Sequence, residues 1–177
     1  GYYATLSWLP ALLKDHQMAS AQAGWMLSFS AFPGMAAALA TPLLAKRVPE
    51  RLLVGGVVGF CGAAYLGLVL APVSLAYLWM VLLGVGQGLG INLALGFIIA
   101  RAPDSGLAAQ LSTMAQAVGY LLAAAGPFLL GALHQLSGEW TLPLIALGVV
   151  LVPLGICGLG ASRERFVAED RADSARC

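Results

Sequence analysis

Arg101–Leu133 reads R-A-P-D-S-G followed by L-A-A-Q-L-S-T-M-A-Q-A-V-G-Y-L-L-A-A-A-G-P-F-L-L-G-A-L, and this stretch decides the fold. The first six residues are a short polar turn with a cation at its edge. The apolar run that follows contains no charged side chain. At a rise of roughly 1.5 Å per residue, this run is long enough to cross a hydrocarbon core of roughly 30 Å. The stretch therefore predicts a transmembrane helix.

A polar stripe runs along this predicted helix, because Ser112, Gln116 and Tyr120 recur at every fourth position. Residues spaced in this way lie on one face of a helix. Polar side chains within a membrane face protein or water rather than lipid. The stripe is consistent with the wall of a solute cavity, and the alternative is hydrogen bonding between neighbouring helices.

The composition is that of an integral membrane protein. Hydrophobic residues make up 60% of the 177 residues and charged residues 10%, whereas soluble domains have about 25% charged residues. Cys61, Cys157 and Cys177 have neither the spacing of a metal site nor the setting of an extracellular disulfide. His16 and His134 lack a third ligand, so no metal site is expected.

The apolar runs predict an all-α integral membrane fold with six transmembrane helices, followed by a tail. The first helix, 1–13, is too short to cross a membrane, which suggests that the chain is a fragment that begins inside a helix. Ser20 is expected to cap the second helix, and Asp104 or Ser105 the fifth. The predicted spans are 1–13, 21–45, 52–71, 75–100, 107–133 and 142–160, and residues 161–177 are expected to form a disordered cytoplasmic tail.

The distribution of cations predicts the orientation of the helices. Lys14 is the one Lys or Arg in the turns on one side of the membrane. The positive-inside rule therefore places the other set of turns and the C-terminus in the cytoplasm, as expected for a bacterial inner-membrane protein. Tryptophans near the opposite ends of the helices agree, because indole rings favour the interface: Trp25, Trp79 and Trp140. The cations of the predicted cytoplasmic set are Lys46, Arg47, Arg51, Arg101, Arg163 and Arg165.

The polarity of the helices follows a repeated order of polar, polar, apolar. The third and sixth helices lack interior-seeking side chains and share a similar segment, G-F-C-G at 59–62 and G-I-C-G at 155–158. This pattern predicts two three-helix units of inverted topology, with the third and sixth helices facing lipid and the other four lining a cavity. The candidate cavity residues are Tyr3, Ser7, Trp8, Ser28, Gln87, Asn92, Gln116 and Tyr120.

The glycine-rich segment G-V-G-Q-G-L-G at 84–90 resembles a nucleotide-binding loop only superficially. It has neither Rossmann spacing nor a P-loop lysine, and it lies in the middle of a predicted helix. Small residues at this spacing favour close helix packing. No cofactor is therefore expected, and Gln87 forms either an interhelical hydrogen bond or a contact with a solute.

Two proline–glycine pairs lie in corresponding helices of the two predicted units: Pro33-Gly34 in the second helix and Gly126-Pro127 in the fifth. Each pair weakens the backbone hydrogen bonding of its helix and should bend it. The bend is either a static kink or a hinge that allows the cavity to close on one side.

The predicted spans contain no Asp, Glu, Lys, Arg or His. Membrane enzymes and proton relays need such groups at a common depth, so the sequence argues against an enzyme. Nothing in the sequence points to a nucleic-acid partner. The sequence leaves open a non-transporting membrane interaction or receptor subunit as one function class.

The chain resembles the C-terminal half of a major facilitator superfamily transporter, and more closely the cyanate and nitroimidazole transporter (CynX/NimT) family. The likeness lies in Y-Y-A-T-L-S-W-L-P at 2–10, G-V-G-Q-G-L-G-I-N-L-A-L-G-F-I-I-A-R at 84–101, the fifth-helix block and S-G-E-W at 137–140. The resemblance implies helices seven to twelve of a twelve-helix transporter, completed by a missing N-terminal six-helix half. It implies transport of a small, anionic or polar organic solute, such as a cyanate-like compound, by rocking of the two halves.

One loop departs from the pattern of the superfamily. The superfamily signature there has an acidic residue before a basic cluster, whereas this chain has A-K-R-V-P-E-R at 45–51. Ala45 stands where the acid is expected. The sequence therefore provides no support for a charge latch formed by this loop.

Overall fold

The computed structural model describes residues 2–162, and these residues form six α-helices joined by short turns. Five of the helices are long and apolar enough to cross a membrane. The prediction of an all-α membrane fold is confirmed, and the chain is a multi-pass membrane protein. The predicted tail from Arg163 onward lies outside the described residues. The helices are α1 (Tyr2–Asp15), α2 (Ser20–Ala45), α3 (Glu50–Leu70), α4 (Ala76–Arg101), α5 (Ser105–Ser137) and α6 (Thr141–Ala161).

The ends of α5 illustrate how local sequence sets helix boundaries. Asp104 is the N-cap, and its Oδ1 accepts a hydrogen bond from the backbone N–H of Leu107 at 2.8 Å, as predicted. Gly138 ends the helix in the left-handed region, at φ +71°, a conformation that glycine adopts without strain. Ser20, by contrast, is the first helical residue of α2 rather than its cap, because Ala19 occupies the N-cap position.

Glycines bring α2 and α4 into direct backbone contact. A Cβ added at Gly84 would overlap the carbonyl oxygen of Ser30, and one added at Gly88 would overlap the carbonyl oxygen of Gly34. The next face of α4 meets α3, where a Cβ at Gly86 would lie 2.6 Å from the sulfur of Cys61. The packing interpretation of the 84–90 segment is therefore confirmed.

The third helix has a buried polar group, which corrects the prediction that it lacks interior-seeking side chains. Among the five long helices, α3 has the largest buried share. Its Tyr65 is only 4% exposed, and the hydroxyl lies 3.3 Å from Thr5 Oγ1 of α1. The opposite face of α3 remains open, with Leu66 and Leu70 exposed. One face of α3 thus belongs to the core, and only the other is available to lipid.

The fifth helix packs over its C-terminal part and leaves the rest open. Leu130 and Gly131 are its buried residues, whereas Leu121 and Leu122 are more than 70% exposed. At the same end of the bundle, Trp140 Nε1 donates a hydrogen bond to Asp15 Oδ2 at 2.7 Å, which joins the end of α1 to the start of α6. The open part of α5 includes the candidate cavity residues Gln116 and Tyr120.

Candidate functional site

A cleft lies between α1, α2 and α4, and we call it the α1–α2–α4 cleft. It consists of two adjoining cavities of about 210 and 240 Å³ that share Tyr2, Ser30, Ala31 and Gln87. The glycine contacts between α2 and α4 form its floor, because Gly34, Gly84 and Gly88 line the second cavity. The further polar residues of its wall are Thr5, Ser28 and Asn92.

Gln87 holds the central position in this cleft. It lines both cavities, and its Nε2 is buried without a hydrogen-bond partner among residues 2–162. The hydroxyl of Tyr65 lies beside this side chain, but Nε2 makes no hydrogen bond to it. A buried amide donor without an acceptor costs about 1–3 kcal/mol. Because Nε2 itself is buried, rotation of the Gln87 side chain would bring this N–H group to an acceptor within the cleft.

The other predicted polar residues of the cleft bond to their own helices. Ser28 Oγ donates to the carbonyl of Gly24 at 3.4 Å, and Asn92 Nδ2 donates to the carbonyl of Gly88 at 3.2 Å. These bonds satisfy one donor of each side chain and leave their oxygen atoms as potential acceptors. The structure therefore brings Ser28, Gln87 and Asn92 together along one cleft. Ser28 and Asn92 each use one donor within their own helix, whereas Gln87 Nε2 has no partner among residues 2–162.

The predicted residues of α1 have two different environments. Tyr3 is 44% exposed, and Ser7 Oγ donates to its carbonyl at 2.9 Å within the helix. Trp8 is half-buried and donates its indole N–H to the carbonyl of Pro127 at 2.7 Å. Its ring occupies the space where a side chain at Gly131 would be. Trp8 therefore joins α1 to α5, and its assignment as a cavity wall stays a prediction.

The polar stripe of α5 lies apart from the α1–α2–α4 cleft. Gln116 is exposed, and its Nε2 donates to Ser112 Oγ at 3.0 Å within the same helix. Tyr120 is 56% exposed, and its ring meets that of Tyr3 edge-on at a centroid distance of 6.2 Å. The stripe and Tyr3 thus form a second, open polar surface between α1 and α5.

The predicted hinge residues lie within continuous helices. The structure assigns α2 through Pro33 and Gly34 and α5 through Gly126 and Pro127. Gly34 packs against the backbone of α4, as described above. A Cβ at Gly126 would make an ordinary contact of 3.5 Å with Ala4. A hinge at either position stays a prediction.

Sequence analysis missed three polar residues of the cleft: Tyr2, Thr5 and Ser30. A helical spacing of three places Tyr2 and Thr5 on one face of α1, and a spacing of four places Ser30 above Gly34 on α2. These spacings identify the residues only when the contact between α2 and α4 is known. That contact cannot be read from the sequence.

The lining of the cleft offers hydrogen bonds without formal charge. Its side chains are apolar, hydroxyl or amide groups. Among residues 2–162, no group of three or more His, Cys, Asp or Glu side chains is placed to hold a metal ion. The arrangement can therefore hold a small solute through neutral donors and apolar contacts, with Gln87 as the donor that lacks a protein acceptor.

Comparison with known proteins gives one family match. The sequence model described as Major Facilitator Superfamily matches residues 1–174. No solved structure matches the chain.

Three relatives share similarity over 94% of the chain. The chain is 39% identical to the "Uncharacterized transporter YycB" of Bacillus subtilis and 38% identical to the "2-nitroimidazole transporter" of Escherichia coli. It is 28% identical to the "Cyanate transport protein CynX" of Escherichia coli. The alignments cover 42%, 42% and 43% of these relatives, so the chain spans about two fifths of their length.

Proposed function

The chain belongs to the major facilitator superfamily, and on this premise we propose that it forms one six-helix half of a secondary transporter for a small polar or anionic organic solute. The match confirms the family resemblance seen in the sequence. Three relatives carry transporter names, two of them naming nitroimidazole and cyanate. Secondary transporters bind their solutes near the middle of the membrane, between helical repeats.

Gln87 is the observation that carries the proposal. Its Nε2 is a buried donor at the wall of a cleft of water-accessible size, and no acceptor among residues 2–162 satisfies it. A solute with an acceptor oxygen or nitrogen would supply the missing partner. Nitro and cyanate groups are acceptors of this kind, which agrees with the named solutes of the relatives.

The neutral lining of the cleft restricts the kind of anion that it would accept. Burying a compact charge without a counter-charge is unfavourable, whereas a delocalised charge that accepts several hydrogen bonds is tolerated. Hydroxyl and amide groups surround the cleft, and its remaining wall is apolar. We therefore expect a small, planar solute whose negative charge is absent or spread over several atoms.

The open faces of the helices support a second half as partner. Tyr3 and the polar stripe of α5 are exposed, although polar groups at membrane depth need protein or water around them. A further six-helix half would cover them and complete the cavity. In this arrangement α1, α2, α4 and α5 line the pathway, and rocking of the halves gives alternating access. By the positive-inside rule, the cation-rich turns support a cytoplasmic C-terminus and a location in the bacterial inner membrane.

Counterflow of a labelled solute tests the role of Gln87. The full-length protein is reconstituted into liposomes, and cyanate and 2-nitroimidazole are the solutes tried. Gln87→Leu should lower counterflow by about tenfold, since loss of one satisfied hydrogen bond is worth about 0.5–1.5 kcal/mol and the stranded acceptor adds to this. The matched control is Gln22→Leu, which removes an exposed amide from the first turn of α2.

The outcome separates a role in binding from a general defect. Equal amounts of folded protein with low counterflow in the Gln87 variant alone would support the proposal. Equal counterflow in both variants and the wild type would remove Gln87 from the solute site. Absence of counterflow for every small acceptor-bearing solute in the wild type would contradict the transport proposal itself.

A further inference from the structure

A second cavity lies between α3, α4 and α6, and we call it the α3–α4–α6 trough. Its volume is about 430 Å³, which is within the range of small-molecule sites. Ala115 of α5 contributes to its rim. The lining is apolar apart from the thiol of Cys157, and it includes Val54, Ala94, Phe97 and Ala161.

The trough lies toward the cation-rich face of the membrane. Its lining comes from the first turns of α3 and from the last turns of α4 and α6. These helices have their ends on that face, at Glu50, Arg101 and Ala161. Several lining residues are open to the surroundings, including Ala94 and Cys157. The trough is therefore a membrane-embedded apolar surface close to one interface.

Arg101 lies at the interfacial end of this trough. Its Nη2 donates to Glu50 Oε2 at 3.0 Å and to the carbonyl of Ala161 at 3.2 Å. The guanidinium carbon lies 5.8 Å from the centre of the Phe97 ring. Ala161 and Phe97 both line the trough, so the guanidinium group marks its mouth. Its Nε has no hydrogen-bond partner among residues 2–162.

We propose that the trough binds one acyl chain of an anionic glycerophospholipid, with the lipid phosphate at Arg101. An open apolar surface within the bilayer is filled by hydrocarbon, since the one polar side chain of the lining, the thiol of Cys157, is only a weak hydrogen-bonding group. Guanidinium groups bind phosphate through paired, charge-assisted hydrogen bonds. Basic pockets between helices at the cytoplasmic interface suit such headgroups. The proposal does not depend on the transport function.

The charges around the mouth favour an anionic headgroup over a zwitterionic one. Three further cations, Lys46, Arg47 and Arg51, are exposed on this face. Among residues 2–162, the acids on this face are Glu50, which pairs with Arg101, and Asp104, which caps α5. Each cation near the membrane surface raises the preference for an anionic over a zwitterionic lipid about fivefold.

Native mass spectrometry of the full-length protein tests occupancy of the trough. The protein is extracted from vesicles that contain equal amounts of phosphatidylglycerol and phosphatidylcholine, and the retained lipids are counted. Ala94→Phe fills the trough, whereas Ala63→Phe places the same side chain on an exposed position of α3 outside it. The wild type and the Ala63 variant should retain one phosphatidylglycerol that the Ala94 variant loses. Equal retention by both variants would overturn the proposal.

A charge variant tests the headgroup separately from the acyl chain. Arg101→Gln removes one positive charge from the mouth, whereas the double variant Arg101→Gln/Glu50→Gln leaves the net charge unchanged and is the control. We expect the preference of the single variant for phosphatidylglycerol to fall about fivefold and that of the double variant to stay at the wild-type value, while one lipid of either type stays bound. An unchanged preference in the single variant would overturn the role of Arg101. Disulfide-linked dimers through Cys157 that exclude lipid would instead place a second copy in the trough and would also overturn the proposal.

Discussion

The indole Nε1 of Trp8 lies 2.7 Å from the carbonyl oxygen of Pro127, which joins α1 to α5 across 119 positions of the chain. The ring fits because Gly131, one turn beyond Pro127, has no side chain: a Cβ there would lie 2.7 Å from the indole. The contact also positions Trp8 against Trp140, at a ring distance of 5.8 Å. Trp8 thus adds a hydrogen bond between α1 and the loosely packed α5.

We expect Trp8→Phe to lower the free energy of unfolding by about 0.6–2 kcal/mol, since hydrogen bonds between membrane helices are worth about this much. Phenylalanine keeps most of the ring packing and removes the N–H donor. Trp25→Phe is the control, because Trp25 is 57% exposed. Unfolding in mixed detergent micelles measures both. A loss of equal size at the two positions would show that the hydrogen bond to Pro127 contributes nothing.

Gly88→Ala should destabilise the bundle by more than about 2 kcal/mol. The new methyl group would overlap the carbonyl of Gly34, and overpacking of this kind costs about 1–3 kcal/mol or more because backbone atoms must move. Gly96→Ala in the same helix is the control, since nothing lies within 4 Å of its added Cβ. That variant should be neutral or slightly stabilising, because alanine favours helix. Equal effects of the two variants on the unfolding transition would contradict direct contact between α2 and α4.

Glu50→Gln should lower the free energy of unfolding by about 1–3 kcal/mol, because it leaves the guanidinium of Arg101 without its carboxylate. The Arg101 side chain is 17% exposed, so water compensates only in part. Arg51→Gln, at the exposed neighbouring position, is the control. A double-mutant cycle with Arg101→Gln isolates the pair. A coupling free energy near zero would show that the ion pair does not stabilise the fold.

Gln116→Leu should lower solute uptake by the full-length protein while its amount in the membrane stays unchanged. The structure leaves Gln116 exposed on α5, with its one described bond made to Ser112 in the same helix. Its amide is therefore available to the proposed solute pathway or to the proposed second half. Gln110→Leu, also exposed on α5, is the control. Unchanged kinetics of uptake in the Gln116 variant would remove this residue from the pathway.

The end of the bundle that holds Trp140 shows how far local sequence reasoning reached. Sequence analysis treated His134 and Trp140 as separate features of one loop. In the structure their rings stack at 4.0 Å, and Trp140 donates to Asp15. Asp15 is 125 positions away from Trp140 in the chain. A contact at that separation follows from helix packing, and the sequence of either loop does not encode it.

The ion pair between Glu50 and Arg101, at the opposite end of the bundle, also depends on helix packing. The sequence showed that Ala45 replaces the acidic residue expected before the basic cluster. It did not show that Glu50, on the far side of that cluster, pairs with Arg101 of α4 and thereby lies near the end of α6. The carboxylate of Glu50 thus lies near the expected position. Its pairing with Arg101 depends on the packing of the ends of α3, α4 and α6.

The sequence by itself determined that this protein is a bundle of membrane helices. Length, hydropathy and charge act within each run of residues, so they establish the helices, the Asp104 cap and the small-residue face of α4. Only the tertiary structure decided which polar groups remain without partners. Gln87 and Arg101 acquire their significance from neighbours on other helices, and those neighbours depend on how closely the glycines of α2 and α4 allow the backbones to approach.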